Sequence, residues 1–539
     1  MNTKELAELA QHQFTQRGSL MLLWQDIAEQ FYVERANFTV ARDMGDHVAD
    51  WLTTSYPLMV RRDLGNQFGT MLRPVQKEWF SLTVRNEEDE DNESERWLQR
   101  ATGIQRRAMY DPITQFTRAT KEGDHDYAAF GQAAIQITLN STASALLYRA
   151  WHLRDVAWIE NDDGVICAIF RKWKPTGRDL MRKFPGKCAK GVEQEVRKDP
   201  FCTIECLHME LAEDMCEGDS AGQPFRSIYY DVAHDHLCED MPIPELSYVI
   251  PRWQTVSGSQ YAYSPATIIA LPDARLLQAM TSTLLEAGEK AANPPMVATQ
   301  EAIRSDVSLY AGGITWVDAE YDERLGEVLR PITQDKSSIP LGIDMQRDAR
   351  AMLSAAFFLD KLSLPQRTPE MTAYEVGQRV QEYIRNALPL FEPSEDGYNG
   401  GVCERTFNVL MRAGAFGSPM DMPEKLRGAD VHFRFMSPLH DAIEERKSQV
   451  FMQAKGVLAE AVAIDPSTLP MVDAKAALRD ALKGLVPAKW LRSEAMMEEF
   501  DRAAAEHAQQ QQLLAALQQG ADIAKTGSEA QKNMAQVPA

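Results

Sequence analysis

Cysteine is scarce in this chain, which has seven among 539 residues. Disulfide frameworks are typical of short, cysteine-dense secreted chains, and an odd number leaves at least one thiol unpaired. We therefore expect reduced thiols. No run approaches the roughly 20 apolar residues that a membrane-spanning helix needs. The opening residues MNTKELAELAQHQF lack the apolar centre of a signal peptide, so neither secretion nor a membrane partner is expected.

Nucleotide-binding and catalytic motifs are also missing from the sequence. It contains no GxxxxGK[ST] phosphate loop and no dinucleotide fingerprint, so we do not expect it to hydrolyse ATP itself. It contains no GxSxG nucleophile turn and no HExxH zinc motif. The expectation is a protein without a cofactor, a metal or catalytic residues.

Positive charge is in deficit, with 57 Lys and Arg against 78 Asp and Glu and a net charge of −21. A protein that coats nucleic acid is expected to carry a basic face, so this balance argues against that class. The charge balance does not exclude a protein that lets DNA slide past an acidic wall, because such a wall repels phosphates. The charge has a simpler meaning as well, which is solubility.

Helical and strand patterns occupy separate parts of the chain. Residues 2–35, 45–72 and 95–131 carry apolar residues at helical spacing, whereas 133–253 is a series of short β-branched and aromatic runs divided by turn signals. Helices return from 264 onward, and residues 398–413 form a further one. Runs of strands flanked by helices, without a βαβ repeat, predict an α+β fold with an antiparallel sheet region.

Local signals set where several of these elements break. Gly18 and Asp111-Pro112 interrupt the first and third helical stretches, and Tyr56-Pro57 lies near the middle of the second. Residues 79–84 and 431–439 alternate apolar with polar residues and are predicted to be strands.

Two helices with an insertion between them form the part around which the rest is organised. Ser264-Pro265 is a typical helix start, and Asn293-Pro294-Pro295 ends that helix. A mixed insertion and a second apolar-striped helix follow. The residues predicted to pack on the two helices are Leu277, Met280, Leu284, Met345, Ala349 and Met352.

Three segments in this region resemble the portal (head-to-tail connector) proteins of short-tailed bacteriophages. They are RWQTVSGSQYAYSPATIIALPDARLL at 252–277, EAGEKAANPPM at 286–296 and TAYEVGQRVQEYI at 372–384. They occur in the family's order and at its separations. The resemblance implies a portal fold whose parts are a wing (1–263), a first stem helix (264–295), a clip (296–341), a second stem helix (342–358), a tunnel loop (359–371), wing return helices and a strand (372–437), a helical crown (438–492) and a C-terminal barrel helix and tail (493–539).

The resemblance also implies a function and partners. The family forms a dodecameric ring at one capsid vertex, through which DNA is packaged, retained and ejected, and its members are not enzymes. Implied partners are other copies of the chain, double-stranded DNA, the terminase large subunit, the major capsid and scaffolding proteins, and tail adaptor proteins. The implied location is the virion, and the host cytoplasm during assembly. Lys361, Gln366 and Arg367 correspond to the tunnel loop that contacts DNA.

Two further interpretations stay open at this point. Cys202, Cys206 and His208 share one strand face, and His234, His236 and Cys238 share a face of what could be a neighbouring strand. Such a set can bind zinc, although the spacing is not a common zinc pattern and simple packing is the alternative. The rivals for function are a nucleic-acid-processing enzyme with an α+β catalytic domain and a scaffold protein unrelated to phage.

Overall fold

The computed structural model describes residues 1–43, 45–46, 49–75, 77–85, 92–217, 221–292, 296–298, 329–331, 338–359, 392–428, 431–436 and 455–456. Lys361, Gln366, Arg367 and the helices predicted after 438 therefore lie outside the described residues. The chain divides into two compact units. One comprises residues 1–79 and 105–415, and the other comprises residues 80–104 and 416–539.

Ten α-helices are found in the described ranges. They are α1 (Thr3–Gln16), α2 (Gly18–Phe31), α3 (Tyr56–Leu72), α4 (Asn92–Met109), α5 (Phe116–Phe130), α6 (Gly177–Lys183), α7 (Lys190–Lys198), α8 (Pro265–Ala292), α9 (Ser338–Ala356) and α10 (Gly401–Arg412). A π-helix, Ser394–Gly400, leads into α10.

Breaks between the early helices follow local chemistry. The predicted interruptions near Gly18 and at Asp111-Pro112 are confirmed. The prediction of helix over 45–72 is wrong in its first part, because α3 begins only at Tyr56. Pro57 then lies in the first turn, where its missing N–H breaks no intrahelical bond.

Twelve strands form four antiparallel groups within the described residues. The strands are β1 (Phe80–Val84), β2 (Ala134–Leu139), β3 (Leu146–Trp151), β4 (Val156–Glu160), β5 (Ile166–Trp173), β6 (Cys206–Ala212), β7 (Phe225–Asp231), β8 (His236–Ile243), β9 (Tyr248–Val249), β10 (Met296–Ala298), β11 (Leu329–Pro331) and β12 (Val431–Phe435). Their orders are β4-β5-β6-β7-β8, β3-β2-β9, β1-β12 and β10-β11. The α+β class and the antiparallel region over 133–253 are confirmed, although α6 and α7 interrupt that region.

The five-stranded sheet of the first unit is covered on both faces. Helix α1 packs Leu6 and Ala10 onto Phe170 and Met209 on one face. On the other face α6 and α7 bury Leu180 and other apolar side chains against the sheet. Alternate residues of each strand point to opposite faces, so both apolar sets come from the same strands.

The second unit is built around β1, β12 and the first turns of α4. Phe80 of β1 lies opposite Phe435 in the register, and its ring is 6.0 Å from that of Phe433. Trp97 of α4 packs against Phe416, with ring centroids 6.0 Å apart. The two predicted strands at 79–84 and 431–439 are therefore confirmed as partners.

Candidate functional site: the helix pair

Helices α8 and α9 lie side by side and run antiparallel; we call them the helix pair. Gln346 Nε2 donates to Thr281 Oγ1 at 2.9 Å. One turn earlier on α9, a Cβ placed on Gly342 would lie 2.7 Å from Leu284 Cδ2. Between these two contacts the residue number rises along α9, from 342 to 346, and falls along α8, from 284 to 281. The two helices are therefore antiparallel. Glycine at 342 allows the two backbones to approach closely.

The start of α8 is joined to the end of α5. The Ser264 hydroxyl donates to Ala128 O at 2.7 Å, and the Thr267 hydroxyl donates to Ala129 O at 2.7 Å. Carbonyls in the last turn of a helix have no intrahelical partner, so these hydroxyls satisfy them. Both hydroxyl side chains are buried. The N-terminus of α8 is therefore fixed to the body of the first unit.

Gly131 closes α5 beside this junction. Its φ is +72°, and a Cβ there would lie 2.1 Å from the Tyr263 carbonyl carbon. Its amide donates to Tyr127 O at 2.8 Å, and its carbonyl accepts from Trp253 N at 2.8 Å. A side chain at this position is excluded both by the backbone conformation and by the contact with the chain entering α8.

The middle of the pair is held by residues 53–56, which lead into α3 and include its first residue. Gln278 Oε1 accepts from the amides of Thr53 at 2.8 Å and Thr54 at 3.0 Å, and Gln278 Nε2 donates to Thr54 O at 2.9 Å. Ser354 of α9 contacts the same residues: the Tyr56 hydroxyl lies 2.7 Å from Ser354 Oγ. Each helix of the pair is thus bonded to the same short segment.

The C-terminal end of α9 is buried against aromatic rings. Phe357 is fully buried and its ring is 5.3 Å from that of Phe31. Trp253, on the approach to α8, stacks on Tyr127 with centroids 5.2 Å apart. The opposite end of the pair is exposed, since Leu285 is 58% and Leu341 is 63% accessible. The pair therefore has one anchored end and one open end.

The six predicted packing residues fall on two different faces within one chain. Leu277 and Ala349 are buried between the helices and the body, and Leu284 covers Gly342. Met280 is half-buried. Met345 and Met352 are 50% and 47% exposed, so about half of each side chain is left uncovered in the single chain.

The residues that pack α9 within the chain are the next row round the helix. Ala349 and Leu353 are almost fully buried, whereas Met352, which was predicted to pack with them, is 47% exposed. Several further outward apolar residues escaped the sequence stripes; these are Ile269, Leu276, Leu285, Leu341 and Ile343. The available signal was that both helices carry more apolar residues than one stripe can hold.

The cysteine and histidine set does not converge on one point. Strand β7 lies between β6 and β8, so the idea that His236 and Cys238 are on a strand next to Cys206 is wrong. Among the described residues, no three His, Cys, Asp or Glu side chains are grouped to hold a metal ion. Burial raises the pKa of Cys238 to about 12, which favours the neutral thiol over the thiolate that zinc binds. These cysteines pack with Leu180 and Phe184.

His208 lies instead in a buried polar group that joins the two sheets of the first unit. Its Nδ1 is 2.8 Å from the Tyr248 hydroxyl and its Nε2 is 3.0 Å from Ser227 Oγ. Burial lowers the pKa of His208 well below its usual value. Neighbouring Glu210 accepts from Ser247 N at 2.6 Å, and burial raises the pKa of Glu210 to about 7.

A second buried polar group ties the chain that returns into α10. Arg73, at the end of α3, forms an ion pair with Asp124 of α5 and donates to Asn399 Oδ1 at 2.7 Å. Its guanidinium lies 4.7 Å from the centre of the Tyr398 ring. The π-helix that carries Tyr398 and Asn399 is therefore fixed to α3 and α5.

None of the described helices combines the length and the apolar content needed to cross a bilayer. The exposed apolar residues of the helix pair are separated by charged ones, among them Asp344, Arg347 and Asp348.

Comparison with known proteins places most of the chain in one family. Residues 3–489 match the model of the family described as bacteriophage head to tail connecting protein. The probable portal protein of Bordetella phage BPP-1 is 25% identical over 474 residues, which cover 85% of this chain and 83% of that protein. The portal protein of Salmonella phage epsilon15 is 24% identical over 383 residues, covering 68% and 67%.

A solved structure, the virion of a native gene transfer agent particle, aligns with 75% of this chain and 86% of its own chain. The identity is 9% and the TM-score is 0.35, too low to bear on the fold. The family match stands without it and confirms the resemblance drawn from the sequence. The chain belongs to the bacteriophage head-to-tail connecting family, and it is a portal protein of the phage head-tail connector.

Proposed function

We propose that this portal protein assembles into a closed ring in which the helix pairs of neighbouring copies stand side by side around a DNA channel. The observation that carries the proposal is the outward apolar row of α9. Leu341, Met345 and Met352 repeat at helical spacing and are all about half exposed or more in the single chain.

The second helix supplies a complementary surface for such a contact. Ile269 and Leu276 of α8 are 61% and 46% exposed and lie seven residues apart, two turns on one side of the helix. A contact between the α9 row of one copy and the α8 row of the next is head-to-tail. Such contacts form a closed ring when the rotation that relates one copy to the next is a whole fraction of 360°.

The strength of this contact follows from the area it buries. Burying one such side chain completely contributes about 1.5–3 kcal/mol, so a half-exposed side chain contributes roughly half of that. Five of them at each interface amount to several kcal/mol before the entropy of association is subtracted. This apolar gain is similar in size to the lower end of the cost of association, about 4 kcal/mol, so the rest of the contact between copies has to add to it.

The rest of the proposal assigns the parts of the portal to the chain. The wing is 1–263 with the return segment 372–437, the stem is the helix pair, and the clip is the part of 296–341 that precedes α9. The crown is 438–492 and the barrel helix and tail are 493–539. Lys361, Gln366 and Arg367 on the tunnel loop would touch DNA phosphates weakly and release them.

We further propose an acidic lumen with sparse basic rings. Asp344, Asp348 and Glu286 are exposed on the helix pair, while Arg347 lies 3.3 Å from Asp344 and Lys290 forms an ion pair with Glu286. Basic groups on these two helices are thus partly neutralised by their neighbours. An acidic wall lets a polyanion slide with few points of attachment.

The proposed role is structural rather than catalytic, as for the portal proteins that the chain resembles. In this role it occupies one capsid vertex of the virion after assembly in the host cytoplasm. It would receive the terminase large subunit during packaging, contact the major capsid and scaffolding proteins, and later bind the tail adaptor proteins.

Native mass spectrometry of the purified full-length chain tests the assembly. The expected result is one dominant species whose mass is a fixed multiple of the 60.6 kDa chain, with twelve copies as the family leads us to expect. A chain that stays monomeric at every concentration and salt tested would overturn the proposal. Images of the same sample then report whether the species is annular.

A further inference from the structure

The antiparallel hairpin formed by α6 and α7 is basic, although the chain as a whole is acidic. Between Gly177 and Lys198 there are seven Lys or Arg residues against three Asp or Glu, a net charge of +4. The complete chain carries −21. The hairpin lies on the five-stranded sheet, away from the residues of the helix pair in sequence, and the portal role described above does not use it.

The geometry of the hairpin places its cations on one outer surface. Arg178 N donates to Pro200 O at 3.2 Å and Gly177 N donates to Cys202 O at 2.7 Å, so α6 begins where α7 ends. Leu180 and Val192 are buried beneath the two helices. The exposed residues are therefore on the opposite side.

Five of the seven cations are exposed and have no ion pair among the described residues. They are Arg178, Arg182, Lys190, Arg197 and Lys198. Arg178 and Arg182 are one turn apart on α6, and Lys190 and Lys198 span about 12 Å of α7 at 1.5 Å per residue. The remaining two are occupied: Lys187 pairs with Glu239 at 2.8 Å, and Lys183 lies 3.9 Å from the Tyr229 ring centre.

The acidic residues of the hairpin are engaged locally and do not offset this surface. Asp179 Oδ2 accepts from the Thr176 hydroxyl at 2.8 Å. Glu195 lies 3.7 Å from His234 Nε2. Glu193 is only partly exposed. The outer surface is therefore more positive than the count of charges alone indicates.

We propose that the outer surface of the α6–α7 hairpin binds duplex DNA through its phosphates. A protein partner is disfavoured, because interfaces between proteins are centred on apolar or aromatic anchors. Within the hairpin none of the described large apolar side chains is exposed; Phe201, which is 67% exposed, lies just beyond the end of α7, outside the set of cations. A duplex carries one negative charge per about 1.7 Å of its axis. Cations spread over about 12 Å can therefore contact phosphates whatever the base sequence is.

The acidity of the remaining chain makes this surface distinct. With the hairpin removed from the count, the other residues carry −25, which repels a polyanion. Apart from the proposed tunnel-loop contacts, binding is then centred on the hairpin, weak at physiological salt and independent of sequence. The inference does not depend on the ring or on the tunnel loop.

Filter binding of the purified full-length protein to a covalently closed circular duplex tests the proposal. A closed circle cannot thread a preformed channel, so binding inside an assembled ring does not contribute, and the variants below distinguish the hairpin from other surfaces. The test variant is R178Q/R182Q/K190Q/K198Q. The matched control is K4Q/R96Q/R100Q/K121Q, four exposed cations without an ion pair in the described part of the chain, which changes the net charge equally.

The expected result is salt-dependent binding by the wild type and the control, with the affinity of the test variant lower by about tenfold or more at 100 mM salt. The slope of log affinity against log salt should fall by about 0.9 for each phosphate that the variant no longer binds. Equal weakening in both variants, no binding by the wild type, or equally strong competition by poly-glutamate would overturn the proposal. Native mass spectrometry of each variant keeps a failure of assembly separate from a failure of DNA binding.

Discussion

Met352 and Leu353 are adjacent on α9 but lie in opposite environments. Met352 is 47% exposed, and Leu353 is completely buried against the body of the chain. Leu353 is thus covered entirely within one copy, whereas about half of Met352 is left uncovered in the single chain. This contrast separates the residues that fold the helix pair from those available to a neighbouring copy.

Replacing the outward methionines should impair assembly while leaving the fold intact. For M345S/M352S we expect the single chain to lose about 1.5–3 kcal/mol of stability, because about half of each methionine is already covered within the chain. The proportion of oligomer in native mass spectrometry should fall sharply, because each interface loses two apolar side chains.

Leu353→Ala is the matched control on the same helix. Removing a fully buried leucine costs about 2–5 kcal/mol, so this variant should unfold at a markedly lower temperature. A double serine variant that assembles like the wild type would show that the outward row of α9 is not an interface.

Gly131→Ala should be among the most destabilising single changes in the first unit. The new Cβ would meet the Tyr263 carbonyl carbon at 2.1 Å, a backbone atom that cannot move aside, at a φ of +72°. We expect the free energy of unfolding to fall by several kcal/mol, of the order typical for strain at special backbone positions. The midpoint of thermal unfolding measures it.

Gly186→Ala is a control with the same backbone conformation. Gly186 also has a φ of +72°, but nothing lies within 4 Å of the position of its Cβ. Only the left-handed conformation is penalised there, at about 1 kcal/mol. Equal losses of stability for the two variants would contradict the claim that the α5–α8 junction has no room for a side chain.

The buried pair of Arg73 and Asp124 should behave as a unit. Arg73→Met leaves the Asp124 carboxylate buried without its cation, which typically costs about 3–5 kcal/mol. R73M/D124L removes both charges and should recover most of that stability. The exposed pair Arg118 and Glu122, 3.1 Å apart, provides a comparison that should be worth less than about 1 kcal/mol.

A double-mutant cycle on chemical denaturation gives the coupling between the two residues. Additive effects of Arg73→Met and Asp124→Leu would mean that the pair does not hold the π-helix through its mutual contact.

Glu210→Gln should change how stability depends on pH. Burial raises the pKa of Glu210 to about 7, above its usual 4.5, so the folded state binds the proton more tightly than the unfolded chain. The contribution of protonated Glu210 to the stability of the fold is fully present below about pH 4.5 and is lost as the pH rises towards 7. The glutamine side chain does not titrate, so the variant does not lose stability in this way. Between pH 5 and 8 its free energy of unfolding should rise relative to that of the wild type by up to about 3 kcal/mol.

The difference between variant and wild type isolates this residue. Other buried groups titrate in the same window, since burial also raises the pKa of Asp126 to about 6. Glu8→Gln, on the exposed side of α1, provides a control for the removal of one charge. A difference curve for Glu210→Gln that is flat across this range would contradict the assignment.

Local chemistry made much of the fold predictable from the sequence. Gly18, the Asp111-Pro112 break and the start at Ser264-Pro265 are signals carried by single residues, and the structure follows them. Tyr56-Pro57 misled the prediction because the preceding residues have apolar spacing but are bound to α8 through Gln278. That contact spans 225 residues and leaves no local trace.

The candidate site was predictable in its elements but not in its faces. Apolar spacing gave both helices, yet it could not tell whether Met352 or Leu353 faces inward, since both lie on overlapping stripes. Strand order was equally hidden: β7 separates Cys206 from Cys238 because hairpin connections, not apolar content, decide which strands pair. The buried bond from Ser247 to Glu210 joins two sheets and has no sequence signature.

Cryo-electron microscopy of the purified full-length chain tests the central claim most directly. The predicted result is a closed ring in which α8 and α9 line the central opening, with Met345 and Met352 covered by the adjacent copy. A ring whose opening is lined by other elements, or a uniform population of monomers with both methionines exposed, would contradict the account.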